Sequence, residues 1–472
     1  MTNSLNTTFY ELINRGKYMD RKKTGLFWTI VPLIIILGLL AWLLSIIFEG
    51  QKPLINITPL PQFLSESREF TLNINDEKRG LKHLVVSVNQ GGRETTVLEK
   101  KFPFKGLFNR EGSHKFDTKF SMNPLKLNLA QGRVDLKVRV WDYSRRSGGD
   151  GNLSQVSHKM VVDTVPPSIR AISRLNYVNL GGTGLIVYQT SSDTVKSGLY
   201  VNDLFFPGFP AGVESREGFR VCYFAVPCDI KANPDVYLWA EDRAGNLSRG
   251  SFHYNIRTKR FRTKRINITD RFLKSVLPYF SFYHFDPGDT DITKFLKINR
   301  DLRKENNLAF SSLRTKTNPE RLWKGDWIRL RNAANMAGFG DRRSYYHNGA
   351  KIDQQVHMGV DLASLENAKV RAANNGLVIF SDRMGIYGLT VVLDHGQGLA
   401  SVYSHLSSIN VKPDRKVTIG DVIGLTGHTG LAGGDHLHFG IMVSGVFVNP
   451  IEWWDSHWIQ DNITRKLTLV NK

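Results

Sequence analysis

Hydrophobic and polar positions change rhythm along this chain. From Gly25 to Phe48 twenty-four residues pass without a charge. A helix rising about 1.5 Å per residue would carry that run about 36 Å, more than the roughly 30 Å of a bilayer's hydrocarbon core. The pattern predicts one transmembrane helix, which Pro32 kinks without excluding it. From about Pro53 the period falls to two. Val134-Asp-Leu-Lys-Val-Arg-Val140 puts Val134, Leu136, Val138 and Val140 on one face of a strand. That segment leads through Trp141-Asp142 to Gly151-Asn-Leu-Ser154. About a hundred residues later, Val236-Tyr-Leu-Trp-Ala240 leads through Glu241-Asp242 to Gly245-Asn-Leu-Ser248. A repeat of this length is the size of a β-sandwich, so two are expected.

The sandwiches are expected over 53–163 and 164–256, with an extended joint at Asp163-Thr-Val-Pro-Pro167. They serve either as a spacer or as a module binding an anionic envelope polymer or a protein partner. Residues 257–322 read as a basic linker and helical connector, with amphipathic helices near Asp270 to Leu277 and Asp291 to Glu305; in the second, Ile292, Phe295, Leu296 and Leu302 share a face. Residues 323–455 read as antiparallel β, with hairpins at Gly396-Gln-Gly398 and Ser444-Gly445, and 456–472 as a tail.

Charge orients the chain. Ahead of the apolar run, Arg15, Lys17, Arg21, Lys22 and Lys23 face only Glu11 and Asp20. The positive-inside bias therefore predicts a cytoplasmic tail over 1–24, an anchor over 25–48, and everything after it on the far side of a bacterial cytoplasmic membrane. No Ala-x-Ala cleavage site follows the run. With 63 Lys and Arg against 43 Asp and Glu, the net charge is +20, and six of the nine residues from Arg257 to Arg265 are basic. This suits anionic envelope polymers or headgroups, and the orientation argues against nucleic acid. The two cysteines, Cys222 and Cys228, are candidates for a disulfide in an oxidising compartment.

The chemistry concentrates in His357-Met-Gly-Val-Asp361, Tyr403-Ser-His405 and His436-Leu-His438-Phe-Gly440. Hydrolytic zinc takes three imidazole or carboxylate ligands and keeps a position for water. Two histidines two apart on a strand face the same side, so one can hold metal while its neighbour moves protons. His347, His395, His428 and His457 fall outside the pattern and read as turn or surface residues. Asp435, beside His436, reads as a turn cap. No His-Glu-x-x-His is present, so a thermolysin-like site is not supported.

On these motifs, with Phe339-Gly-Asp-Arg342 and Gly427-His-Thr-Gly430, the segment from Trp323 to Trp454 resembles the lysostaphin and LytM type of zinc metallopeptidase. The resemblance implies Zn2+ held by His357, Asp361 and His438, with His405 and His436 as catalytic histidines and Tyr345, Tyr346 or Tyr403 as a further stabilising group. The upstream repeat is similar to bacterial immunoglobulin-like modules. The implied fold is mainly β: a single N-terminal transmembrane helix, two immunoglobulin-like sandwiches, a short helical connector and an antiparallel-β LytM-type peptidase domain of the duplicated hybrid motif. The implied function is a membrane-anchored zinc endopeptidase acting on peptide cross-links of peptidoglycan. The alternatives are a non-catalytic envelope scaffold activating a separate wall amidase, and a zinc peptidase of glycine-rich proteins.

Overall fold

The computed structural model describes residues 6–212, 217–230 and 233–470, with side chains from residue 27 onward except for the last two residues of the chain. The first five residues of the expected cytoplasmic tail, the side chains of its basic cluster, and residues 471–472 lie outside the described residues. The fold is mainly β. It divides into two compact units, Met1–Val165 and Pro166–Lys472.

In the first unit, helix Asn6–Ile47 runs through Pro32 and contains Phe27–Ile47, a stretch long and apolar enough to cross a membrane and not buried in the protein. Two sheets follow. Strands Leu54–Thr58, Arg68–Asn75 and Lys115–Met122 form one; Phe63–Leu64, Leu153–Val162, Gly132–Asp142, Leu81–Gln90 and Arg93–Lys101 form the other. The alternation read from the sequence holds here. Val134, Leu136, Val138 and Val140 are buried in one core with Phe70, Leu72 and Ile74 of the other sheet.

The repeated Asp and Asn have a shared structural task. The Asp142 carboxylate accepts from the Ser144 amide, the Asn152 amide and Asn152 Nδ2 at 2.9, 2.7 and 2.8 Å. The Asp242 carboxylate accepts from the Ala244 amide, the Asn246 amide and Asn246 Nδ2 at 2.8, 2.9 and 2.9 Å. In each copy a buried carboxylate satisfies the amides of a turn that no ladder can pair. The longer loop of the first copy also closes on the end of that apolar helix: the Arg145 amide donates to the Ile47 carbonyl at 2.9 Å, and Arg146 Nε to the Phe48 carbonyl at 2.7 Å.

In the second unit the second sandwich pairs one sheet of Phe209–Pro210, Phe219–Ala225, Thr183–Thr190 and Ile169–Ala171 with another of Leu204–Pro207, Thr194–Val201, Val236–Asp242 and Leu247–Gly250. Its central strands Thr183–Thr190 and Phe219–Ala225 are buried almost throughout, rather than on alternate residues. A strand covered on both faces reads as continuous apolar sequence. The second cover is the C-terminal region: Trp453 Nε1 donates to Thr183 Oγ1 at 3.3 Å, and Lys466 Nζ donates to the Leu185 carbonyl at 2.8 Å. Sandwich and C-terminal sheet share one hydrophobic core.

The basic stretch is not a free linker along its whole length. Strand Thr263–Asn267 pairs in parallel with Arg342–His347, and Arg265 lies 3.9 Å above the Tyr346 ring. Helix Asp270–Val276 falls where the sequence placed it. The helical segment beginning at Asp291 passes through a wide turn at Ile298–Leu302 and continues as Arg303–Ser312, beyond the expected end at Glu305. Phe295 is fully buried against Tyr345, their ring centroids 5.8 Å apart.

The C-terminal sheet runs in the spatial order Ala334–Ala337, Val360–Ala363, Leu437–Val443, Leu399–Leu406, Leu389–Gly396, Gly376–Arg383, Lys416–Val417, with Val446–Val448 also pairing Leu437–Val443. Both expected hairpins are present. Cys222 and Cys228 are free and buried rather than joined; burial pushes the Cys228 thiol up to about 11. His395 is not a turn or surface residue. It is fully buried, with Nδ1 donating to the Asn375 carbonyl at 2.6 Å and Nε2 2.7 Å from Ser401 Oγ.

Candidate metal centre

Asp361 and His438 are opposite one another on the antiparallel strands Val360–Ala363 and Leu437–Val443. Directly opposed residues on one face of a sheet bring their side chains together. His357 reaches the same point from the loop before Val360–Ala363. That approach needs a bare backbone at Gly359, where a Cβ would stand 2.5 Å from His438 Nε2. The result is a triangle of donor atoms: His357 Nε2 to Asp361 Oδ1 is 2.9 Å, His438 Nδ1 to Asp361 Oδ1 is 3.0 Å, and His357 Nε2 to His438 Nδ1 is 3.0 Å.

The protonation of these groups tests whether a cation fits. His357 Nδ1 lies 2.8 Å from the Gly338 carbonyl, which can only accept, so that nitrogen carries the proton. A neutral His357 then turns a bare lone pair at Nε2 toward a carboxylate oxygen 2.9 Å away. Two electron-rich atoms at that distance need positive charge between them. Burial opposes supplying it as a proton: it lowers His357 below its ordinary value, against Asp361 acting in the other direction, and takes His438 down to about 4. Burial disfavours charge on Asp361 too, yet the two imidazoles outweigh it and hold the carboxyl well below its usual range. Two neutral imidazoles and one carboxylate at about 3 Å from each other match the donor set and the roughly 2.0–2.2 Å ligand distances of tetrahedral zinc.

His405 and His436 line the same cleft. The register of Leu399–Leu406 shifts near its end, and His405 takes a left-handed backbone with φ of 61°. A bulge at that point re-aims a side chain that regular alternation would direct elsewhere. His405 Nδ1 donates to the Thr429 carbonyl at 2.8 Å and His436 Nδ1 to the Gly434 carbonyl at 2.9 Å, so both leave Nε2 unprotonated when neutral. Their rings are 4.8 Å apart, and His436 Nε2 is 3.7 Å from Asp361 Oδ1. Burial, with the neighbouring His436 and His438, holds His405 well below its ordinary value. All five residues singled out in the sequence therefore meet in one cleft of about 140 Å³. A larger cavity of about 660 Å³ lies across the sheet, against Leu437 and Phe439, and holds none of the five.

The three candidate tyrosines lie elsewhere. Tyr345 is buried against Phe295, and Tyr346 lies beneath Arg265. The Tyr403 hydroxyl accepts from the Ala373 amide at 2.8 Å, on the side away from the cleft. The tyrosine lining the cleft is Tyr387, its ring 5.3 Å from that of His438, a position marked in the sequence only by the flanking Gly385 and Gly388. Arg343 also lines the cleft, its Nη2 2.7 Å from Asp361 Oδ2. Asp435 pins a turn, accepting from the Asn367 amide at 3.1 Å.

The domain is mainly β and brings together a His-Asp-His triangle that could hold a metal ion and two further imidazoles. Residues 355–450 match the model of Peptidase family M23, and the chain carries a domain of that family. Among curated relatives it is 37% identical over 97 residues to DD-carboxypeptidase/endopeptidase Mpg of Neisseria meningitidis serogroup B, covering 21% of this chain and 22% of the relative. It is 37% identical over 95 residues to the murein hydrolase activator EnvC of Escherichia coli, covering 20% and 23%. The alignments thus span about a fifth of these relatives' length. A crystal structure of a putative peptidase M23 from Pseudomonas aeruginosa aligns over 59% of this chain and 95% of its own at 20% identity, with a TM-score of 0.37.

Proposed function

We propose that this chain is a membrane-anchored zinc endopeptidase that hydrolyses peptide cross-links of peptidoglycan on the outer side of the cytoplasmic membrane. The observation that carries the reading is the lone pair of His357 facing the Asp361 carboxylate at 2.9 Å beside two imidazoles with free Nε2 atoms. His357, Asp361 and His438 hold the metal. When bound, zinc polarises the scissile carbonyl and acidifies water.

The protein's own share of the chemistry is proton movement. His405 and His436 each have Nδ1 held against a backbone carbonyl, which leaves Nε2 turned to the proton-transfer role. The one whose Nε2 is unprotonated takes the proton of the attacking water, and the other, when it carries a proton at Nε2, protonates the leaving amine or stabilises the oxyanion. Helix Phe27–Ile47 serves as the anchor, and similarity to Mpg, named as a DD-carboxypeptidase/endopeptidase, supports a wall-peptide substrate.

Similarity to EnvC, named as an activator, favours one second reading, a non-catalytic scaffold. The complete set of five residues argues against it. Zinc content and cleavage of purified peptidoglycan, measured on the full chain in detergent beside His438→Ala, test the proposal. Stoichiometric zinc with cleavage lost in the variant supports it. Zinc without cleavage favours the scaffold, and a folded chain that takes no zinc overturns both the metal and the enzyme.

A further inference from the structure

We propose that Arg303, carried by the helix ahead of the C-terminal sheet, anchors a carboxylate of the substrate, so that this centre takes peptides with a free carboxylate close to the scissile bond. The inference rests on the peptidase reading above. It concerns a residue outside the segment that matches the family, residues 355–450.

Positions 303, 306, 307 and 310 of helix Arg303–Ser312 recur at helical spacing and share one face. Three of them fasten that face to the rim of the cleft. Asn306 Oδ1 accepts from the Ile386 amide at 2.9 Å, Asn307 Oδ1 accepts from the Tyr387 hydroxyl at 3.4 Å, and the Phe310 ring is 4.9 Å from that of Tyr387. Tyr387 in turn packs on His438. The fourth member, Arg303, lines the cleft together with His357, Asp361 and His405.

Its guanidinium is braced and yet unpaired. Nε donates to the Asn299 carbonyl at 3.1 Å and Nη2 to Asn299 Oδ1 at 2.6 Å. Asn299 is itself fully buried and fixed by a 2.6 Å bond from its Nδ2 to Asp353. The Nε–Nη2 edge is therefore taken by neutral acceptors, which leaves the Nη1–Nη2 edge, a second edge able to hold a carboxylate with two parallel bonds. Nearby arginines have ionic partners: Arg300 pairs with Asp353 at 3.0 Å and Arg343 with Asp361 at 2.7 Å. Among the described residues Arg303 has none. The one carboxylate lining the cleft, Asp361, is engaged by two imidazoles and Arg343.

A half-buried cation with no counter-charge is costly to hold unless something arrives to neutralise it. What the cleft lacks is an anion, and wall stem peptides carry carboxylates at their C-terminal residues.

The test compares kcat/KM of the zinc-loaded full chain in detergent on a cross-linked muropeptide dimer and on the same dimer with its carboxylates converted to carboxamides. The wild type is expected to prefer the acid by about ten- to a hundredfold, the range of a charge-assisted hydrogen bond. In Arg303→Met that ratio falls to near one, and Arg303→Lys restores part of it. Equal cleavage of the two dimers by the wild type overturns this inference while leaving the peptidase reading intact. So does an Arg303→Met variant that slows both and keeps their ratio, since a merely structural arginine would do that. A zinc-loaded wild type that cleaves neither dimer overturns the peptidase reading and the inference with it.

Discussion

Asn179 and Glu452, 273 positions apart in sequence, meet at 2.7 Å inside the second compact unit, Asn179 Nδ2 donating to Glu452 Oε1. The other carboxylate oxygen accepts from the Thr183 amide at 2.9 Å. Burial raises the Glu452 carboxyl above its ordinary value, partly offset by these two bonds. The second sandwich is thus one wall of the core it shares with the C-terminal sheet.

Cutting the chain just after that sandwich, at residue 258, should expose Trp453 and Lys466 and abolish cooperative unfolding, whereas Pro166–Lys472 should retain it. Glu452→Ala, which leaves Asn179 and Thr183 donors unsatisfied, should lower unfolding free energy by about 1–3 kcal/mol, and Glu452→Gln by less. Urea titration followed by tryptophan fluorescence measures both. An independent, fully stable 258–472 fragment would contradict the shared core.

The triangle and the two free imidazoles should separate by their loss. His357→Ala and His438→Ala should release zinc. His405→Ala and His436→Ala should retain it while kcat falls by about 10²–10⁴, the usual contribution of acid–base catalysis. Metal analysis of the four purified variants beside turnover decides the point; equal zinc loss in all four would dissolve the division of labour.

His395 gives a pH dependence whose sign is fixed by burial, which lowers its imidazole to about 4 from an ordinary 6.5. The unfolded chain binds this proton more readily than the folded one. Its stabilising contribution is therefore complete above pH 6.5 and is lost as pH falls toward 4, by at most about 3 kcal/mol. Denaturant midpoints of zinc-saturated protein should drop across that window, and less steeply in His395→Gln.

The repeated turns should behave as equivalents in separate units. Asp142→Ala and Asp242→Ala each remove the carboxylate that accepts from two turn amides and one Asn side chain. Each should cost about 2–4 kcal/mol. By hydrogen exchange, Asp142→Ala should lower protection in Met1–Val165 alone, and Asp242→Ala in Pro166–Lys472 alone. A loss spread evenly over both units would count against independent folding.

What the sequence determined by itself was whatever local periodicity and motif spacing encode. The uncharged run of Gly25 to Phe48, the inward valines of 134–140, the two hairpins and the five histidine and aspartate positions were all legible, because a side chain's face follows from strand alternation and the donor types follow from metal chemistry. Tertiary structure decided what depends on residues far apart. The burial of His395, the replacement of Tyr345, Tyr346 and Tyr403 by Tyr387 at the cleft, the bulge that turns His405 inward, and the joining of Asn179 to Glu452 leave no local signature. Each depends on which distant surface covers which strand, and that is settled only when the apolar faces of the second sandwich, the Arg303–Ser312 helix and the C-terminal sheet bury one another.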